Sequence, residues 1–326
     1  MTVRKFRWGI IGVGKIAGHF ARDLALAQDA ELYAVASRSR DRAVQFAAAF
    51  GVPHAFSAYE AMLTAGVDAV YVATRHPQHR KVAEMCLSAR IPVLCEKPLA
   101  MNGAEVNSMI ETARRNNTFL MEAIWTRFLP SFVRLREVID RGTIGDILCV
   151  KADFGFNTPF DPHSRLFNKS MGGGALLDIG IYPLFLAQML LGNPSQMNAV
   201  GYLGETGVDE EIHVLLQYSG EKFANLHATL RNKTACVAHI YGTSGSITLH
   251  PRWHETQGFT VKLHSGHTEE YNFNFGGAKG YLFEIQHVMN CVLAGKKQSD
   301  LLPLNFSRDL MKVMDTVKEK IGLTYD

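Results

Sequence analysis

The chain has 326 residues, 47% of them hydrophobic and 20% charged, with a net charge of +3. That length and composition fit an ordinary globular protein of about two domains, large enough to bury a core without disulfide staples. The small charge and the absence of a basic tract argue against nucleic-acid binding, and the apolar runs break short of the ~20 residues that span a bilayer, so no membrane association is expected. Cys86, Cys95, Cys149, Cys236 and Cys291 are scattered and form no CxxC pair, which reads as reduced thiols. The N-terminus has basic residues but no apolar signal core, so a cytoplasmic location is expected.

In chain order, a β-rich run over 6–11 ends in Gly12-Val13-Gly14. Ile16, Phe20, Leu24 and Ala27 then share one helical face. Strands are predicted over 32–36, 67–73, 91–95 and 119–123, with helices over 41–50, 82–89 and 104–115 between them. Strands apolar throughout, alternating with helices, predict a parallel sheet covered on both faces. This α/β domain is assigned to residues 1–123.

The pattern changes beyond it. Helices are predicted over 132–139 and 174–191, then over 281–293 and 307–321. Alternating runs lie at 147–156, 212–218, 223–230, 236–241 and 259–263, and Gly242-Thr243-Ser244-Gly245 reads as a hairpin turn. Many strands with few helices between them predict an α+β domain over 124–326 with a mainly antiparallel open sheet. The C-terminal helix is a candidate to pack back on the first domain.

Gly12-Val13-Gly14-Lys15-Ile16-Ala17 fits G-x-G-x-x-[GA], with a strand before it and a helix after it. Gly12 permits the tight turn, Gly14 lets backbone approach a pyrophosphate, and Ala17 lets helix and strand pack closely. Phosphate then meets the positive end of a helix, beside Lys15 and Ile16. This is the loop of a Rossmann dinucleotide-binding fold. An NAD site places a carboxylate at the end of the second strand, on the ribose 2′-hydroxyl. Here that place holds Ala36-Ser37-Arg38, with Arg42 one helical turn on. Two guanidinium groups suit a 2′-phosphate, so NADP is favoured, with Ser37 beside it. The other reading leaves both arginines solvated and gives the ribose to Asp41, so NAD stays open.

Thr74, His76 and His79 follow the 67–73 strand and are candidates to line the cofactor. Two histidines three apart fall short of a metal-ligand set, and hydride transfer needs no metal, so none is expected there. Cys95-Glu96-Lys97-Pro98 closes the 91–95 strand, at the strand end where ligands of such sheets bind. Glu96 and Lys97 are therefore candidates too.

Glu96-Lys97-Pro98 together with Gly9-Ile10-Ile11-Gly12-Val13-Gly14 resembles the Gfo/Idh/MocA oxidoreductase family, over essentially the whole chain. Further strings resemble its dimeric dihydrodiol dehydrogenase and NADP-dependent D-xylose dehydrogenase branch. These are His76-Pro77-Gln78-His79, the run from Met121 to Phe128, the run from Gly173 to Tyr182, and Glu205-Thr206-Gly207-Val208-Asp209. The resemblance implies hydride transfer between a nicotinamide and a hydroxyl-bearing carbon, with Lys97 catalytic and the Lys97–Pro98 bond cis. Most members carry Asp, three residues, then His. This chain departs from that pattern with Asp178 and Tyr182.

Asp178 and Tyr182 are four apart in an apolar helical run and share a face. A neighbouring lysine would favour the tyrosinate, so Tyr182 is expected to move the hydroxyl proton, Lys97 to polarise the oxygen and Asp178 to orient Lys97. The acid–base split between Lys97 and Tyr182 stays open. Trp125, Phe154 and Trp253 are candidate substrate walls, with Phe156 and Phe273 behind them. The resemblance also implies a homodimer through the open face of the second sheet. Alternative readings are an NAD(P)-linked dehydrogenase of another polyol or sugar, and a non-catalytic NADP-sensing protein.

Overall fold

The structure, a computed structural model, describes residues 4–325. Six strands form one parallel sheet: β1 (Phe6–Ile11), β2 (Ala30–Ala36), β3 (His54–Phe56), β4 (Ala69–Val72), β5 (Val93–Glu96) and β6 (Leu120–Ala123). Their order is β3-β2-β1-β4-β5-β6. β4, β5 and β6 are buried at every position, as strands covered on both faces must be. The helices between them are α1 (Lys15–Leu24), α2 (Arg40–Phe50), α3 (His79–Ser88) and α4 (Gly103–Arg115). Local chemistry sets their ends: Ser39 caps α2 by accepting from Arg42 N, Gly51 ends it at φ 65°, and Asn102 caps α4 by accepting from Glu105 N. The strand order reverses between β1 and β4, which opens a crevice at their carboxyl ends. The α/β expectation is met. The three-residue strand β3 escaped the sequence reading because it is half exposed and too short to carry a pattern.

The chain divides into two units. The first runs through Phe128 and also takes Phe275–Arg308; the second is Leu129–Asn274 with the residues from Asp309 on. The assignment of 124–326 to one domain is therefore corrected. The returning segment carries α7 (Tyr281–Leu293), and Asp23 of α1 ties it down. The Asp23 carboxylate, 2% exposed, accepts from the backbone N–H groups of Lys279, Gly280 and Leu282 at 3.0–3.1 Å, closing the N-terminus of α7. Tyr281 stacks flat on Trp125, with ring centroids 4.9 Å apart. The C-terminal helix α8 (Leu304–Ile321) spans the division: its first residues belong to the first unit and the rest to the second.

The second unit opens with α5 (Pro130–Asp140) and β7 (Ile147–Gly155). A π-helical turn, Leu176–Gly180, leads into α6 (Ile181–Leu191). Then follow β8 (Gln196–Leu203), β9 (Asp209–Tyr218), β10 (Lys222–Thr229), β11 (Ala238–Gly242), β12 (Gly245–Leu249), β13 (Gly258–Leu263) and β14 (Thr268–Asn272). The eight strands lie in the order β14-β13-β12-β11-β7-β10-β9-β8, antiparallel except for β7 beside β10. Thr243-Ser244 is the two-residue turn between β11 and β12. The two edge strands, β8 and β14, were missed because both their faces are largely exposed and no apolar alternation marks them.

α6 packs on β7 and β10, and the side chains from Leu176 to Gln188 are all buried. The helical stretch Lys169–Leu191 is long and apolar enough to cross a membrane, with mean hydropathy 1.6, which corrects the expectation that no run reaches that length. It is 89% buried inside the fold, as a core helix is. The other face of the sheet carries exposed Val200, Tyr202, Leu215, Phe223 and Tyr241.

Replacing Asp23 by Ala strands three helix N–H groups together, and is expected to cost about 1–3 kcal/mol of stability. Asp23→Asn, which still caps, is expected to cost less. Urea unfolding of both variants checks this; equal losses would remove the capping role.

Candidate active site

The glycine loop joins β1 to α1 at the reversal of strand order. Gly12 has φ +98°, and a Cβ there would sit 2.5 Å from Ala73 O. Only glycine fits. A Cβ on Gly14 would meet nothing within 4 Å, so the space over the turn is open. Gly14 is the N-cap of α1 and offers no side-chain cap, which leaves the helix N–H groups to an external acceptor. Ile16 lies beside it, 39% exposed, and Lys15 is exposed. Among the described residues, Thr74 Oγ1 is buried with no hydrogen-bond partner, and it follows β4 next to this loop. A tight turn, open space and unused donors fit a dinucleotide pyrophosphate.

At the end of β2 the two arginines have different jobs. Arg42 donates to Val13 O at 3.2 Å, so it is attached to the glycine loop itself. Arg38 is exposed and meets Gln78: with its amide oxygen toward the guanidinium, Gln78 accepts at 3.1 and 3.2 Å. Ser37 is 6% exposed, and its hydroxyl accepts from Ser39 N.

Lys97 follows β5 and is half-buried, and its bond to Pro98 is cis, as the resemblance implies. Buried groups hold this loop. His79 is fully buried, with Nδ1 2.8 Å from Pro98 O and Nε2 3.2 Å from Thr74 O. Burial lowers its pKa, so the neutral ring donates to one carbonyl, and the shorter contact is Pro98. His79 was expected to line the cofactor; its nitrogens instead face backbone, so it braces the loop. His76 is 8% exposed, its ring 5.6 Å from that of His79.

Glu96 accepts a short hydrogen bond from the Tyr71 hydroxyl, and Lys97 N lies 3.2 Å from its other oxygen. Glu122, on β6, accepts from Leu99 N at 2.8 Å. Burial pushes the Glu122 carboxyl up to about 7, with Ser307 and the Leu99 N–H pulling it back.

The second unit supplies Asp178 and Tyr182 through the π turn and α6. Asp209, at the start of β9 and fully buried, accepts from Leu176 N at 2.6 Å and so holds the start of this helical stretch. Burial pushes its carboxyl up to about 7, against the backbone N–H groups of Leu176 and Ala175. Gly174, at φ +111°, must be glycine, since a Cβ would lie 2.1 Å from Asp209 Oδ1. Asp178 is gripped bidentately by Arg165, at 2.8 and 3.2 Å, a partner the sequence reading did not name.

Tyr182, 6% exposed, faces Phe154 with centroids 5.6 Å apart and His254 at 5.3 Å. His254 stacks on Phe154 at 4.0 Å. Trp253 was expected in the substrate wall. It is fully buried and donates Nε1–H to Asp153 O at 2.8 Å, so it belongs to the core, while its neighbour His254 packs against Phe154 and Tyr182. The sequence signal for His254 was the same short segment, read one residue early.

A doubly wound parallel sheet with a bare glycine loop at its switch point, and a lysine closing the fifth strand, defines a nicotinamide-dependent oxidoreductase. The chain belongs to the Gfo/Idh/MocA family. Residues 6–124 match its oxidoreductase domain with NAD-binding Rossmann fold, and residues 132–248 match its C-terminal domain. It is 37% identical over 331 residues to the trans-1,2-dihydrobenzene-1,2-diol dehydrogenase of Mus musculus, and 38% identical over 332 residues to that of Homo sapiens, covering 98% of each chain in both cases. Among solved structures it is similar to a 3-ketoreductase from Actinomadura kijaniata in complex with NADP and TDP-benzene, at 26% identity and TM-score 0.86 with 98% of each chain covered. Levoglucosan dehydrogenase in complex with NADH shares the fold, at 21% identity and TM-score 0.89, with 98% of this chain and 97% of that one covered.

The Glu122 shift has a sign that pH can test. Its carboxyl rises from 4.5 to about 7 on folding, so the folded protein binds more protons between those values. The contribution of Glu122 to stability is therefore fully present below about pH 4.5 and is lost as pH rises toward 7. Glu122→Gln keeps the Leu99 bond and is expected to flatten part of that fall, Asp209 accounting for another part. Urea unfolding across this range measures it; an unchanged slope would mean that the Glu122 carboxyl does not rise on folding.

Proposed function

We propose that the chain transfers a hydride between NADP and a hydroxyl-bearing carbon of a sugar or trans-dihydrodiol. The observation that carries the NADP reading is the end of β2, where no carboxylate stands and Arg38 is exposed with Arg42 against the glycine loop. The substrate reading is supported by two relatives of nearly equal length named for trans-1,2-dihydrobenzene-1,2-diol. The NADP-bound 3-ketoreductase supports the cofactor.

A bound nicotinamide supplies the hydride acceptor or donor. The side chains do the rest. Lys97 polarises the substrate oxygen. Tyr182 takes the hydroxyl proton in oxidation and returns it in reduction. Asp178, fixed by Arg165, sets the turn before Tyr182. Phe154 and His254 give Tyr182 an apolar wall with one polar edge. The same reading includes a homodimer through the open face of the eight-stranded sheet, supported by its exposed apolar side chains. A sedimentation mass of one chain would overturn that part. Five free thiols support a reducing, cytoplasmic setting.

Turnover with D-xylose and with trans-dihydrodiols, using NADP and NAD, tests the whole reading. Lys97→Met and Tyr182→Phe are each expected to lower kcat by about 10²–10⁴-fold. Arg38→Ala is expected to raise the KM for NADP about tenfold or more while leaving that for NAD nearly unchanged. Equal activity in Lys97→Met would sink the mechanism, and equal shifts for both cofactors would sink the 2′-phosphate assignment. Tight NADP binding with no turnover on any polyol would favour a sensor.

A further inference from the structure

One cluster of ligating side chains lies outside this site, on the open face of the eight-stranded sheet. β9 and β10 are antiparallel neighbours, and His213 stands directly opposite His227. Glu211 is two residues before His213, hence on the same face. Both imidazoles turn Nε2 to one carboxylate oxygen: Glu211 Oε1 is 3.3 Å from His213 and 3.1 Å from His227. The rings lie parallel, with centroids 4.2 Å apart, and the three ligand atoms fall within 4.8 Å of one another. The other oxygen, Oε2, meets Arg231 at 3.2 Å.

We propose that Glu211, His213 and His227 bind a divalent cation of the zinc class, with the remaining coordination position open to water or, on this proposed dimer face, to a group of the second copy. Ligands about 2.0–2.1 Å from a tetrahedral ion lie about 3.3 Å from one another. Two of the three edges here, 3.1 and 3.3 Å, already have that length. The third, between the two imidazole nitrogens, is within 4.8 Å, and the two stacked rings must tilt toward one another to share an ion. Two imidazole nitrogens with one carboxylate suit zinc, whereas magnesium and calcium prefer all-oxygen ligand sets. Arg231 leaves Oε1, the oxygen both histidines face, to the ion.

The test is a Zn²⁺ titration of the full-length, tag-free protein against a chromophoric chelator. One Zn²⁺ per chain is expected, with affinity reduced at least 100-fold in His213→Ala and in His227→Gln. His239→Ala removes a histidine of the same sheet that contacts Thr248 instead, and is expected to leave affinity unchanged. Unchanged far-ultraviolet circular dichroism establishes that the variants fold. Absence of stoichiometric uptake, or uptake equal in wild type, His213→Ala and His227→Gln, would overturn the site. The readout is metal binding alone, so it stands or falls separately from the proposed dehydrogenase activity.

Discussion

A carboxylate taken out of water must find donors, and in this chain the donors are backbone N–H groups of distant segments. Asp23 closes the start of α7, Glu122 holds Leu99 behind the cis bond, and Asp209 holds Leu176 before α6. Asp153 does the same for Cys236 and Val237. Each bond is charge-assisted when the acid is ionised, worth about 1.5–3 kcal/mol, while desolvating an unpaired carboxylate costs several. At Glu122 and Asp209 desolvation outweighs the donors, so burial pushes both carboxyls up to about 7. Loss of such a group harms more than one bond, since it strands donors inside the protein as well.

These contacts let loops carry chemistry without being loose. Lys97 sits on a loop, and a lysine side chain has four rotatable bonds to order. Its backbone is fixed from two sides, by His79 on Pro98 and by Glu122 on Leu99. In the second unit the counterpart is Asp209, and the π turn adds to it. A π turn is a local departure from α-helical hydrogen bonding that recurs at functional sites. Here it contains Asp178, whose bidentate pairing with Arg165 restrains both the carboxylate and the segment that Arg165 comes from. Positioning thus rests on polar contacts to backbone, while the apolar core supplies the stiffness behind them.

The parallel sheet was legible because its strands are mostly apolar and alternate with helices, and one strand–helix turn carries the glycine spacing of a dinucleotide loop. What the sequence hid has identifiable physical causes. α7 looks like any amphipathic helix; its return to the first unit depends on one carboxylate, Asp23, more than 250 positions earlier. β8 and β14 are edge strands without a buried face, β8 carrying apolar side chains in the open and β14 mostly polar ones, so alternation had nothing to mark. His254 follows Trp253 in a short 3-10 turn where both are buried, and spacing alone does not say which of the two meets Phe154 and Tyr182. Arg165 lies in a segment without regular structure, where sequence spacing says nothing about what a side chain reaches. The two histidines opposite one another on β9 and β10 required the strand register, which pattern reading does not supply.

The arginines at the end of β2 show how one motif can divide its labour. Arg42 gives a hydrogen bond to Val13 O, so its guanidinium shapes the glycine loop that any dinucleotide meets. Its removal would disturb phosphate binding whichever cofactor is present. Arg38 contacts a side chain, Gln78, whose amide can turn away when an anion competes for the guanidinium. A charged acceptor outbids a neutral amide for such a donor, since charge-assisted bonds are about twice as strong as neutral ones. In the NADP reading proposed above, discrimination between the two nicotinamide cofactors falls to Arg38 and the conformation of the loop to Arg42, although the two stand only four residues apart.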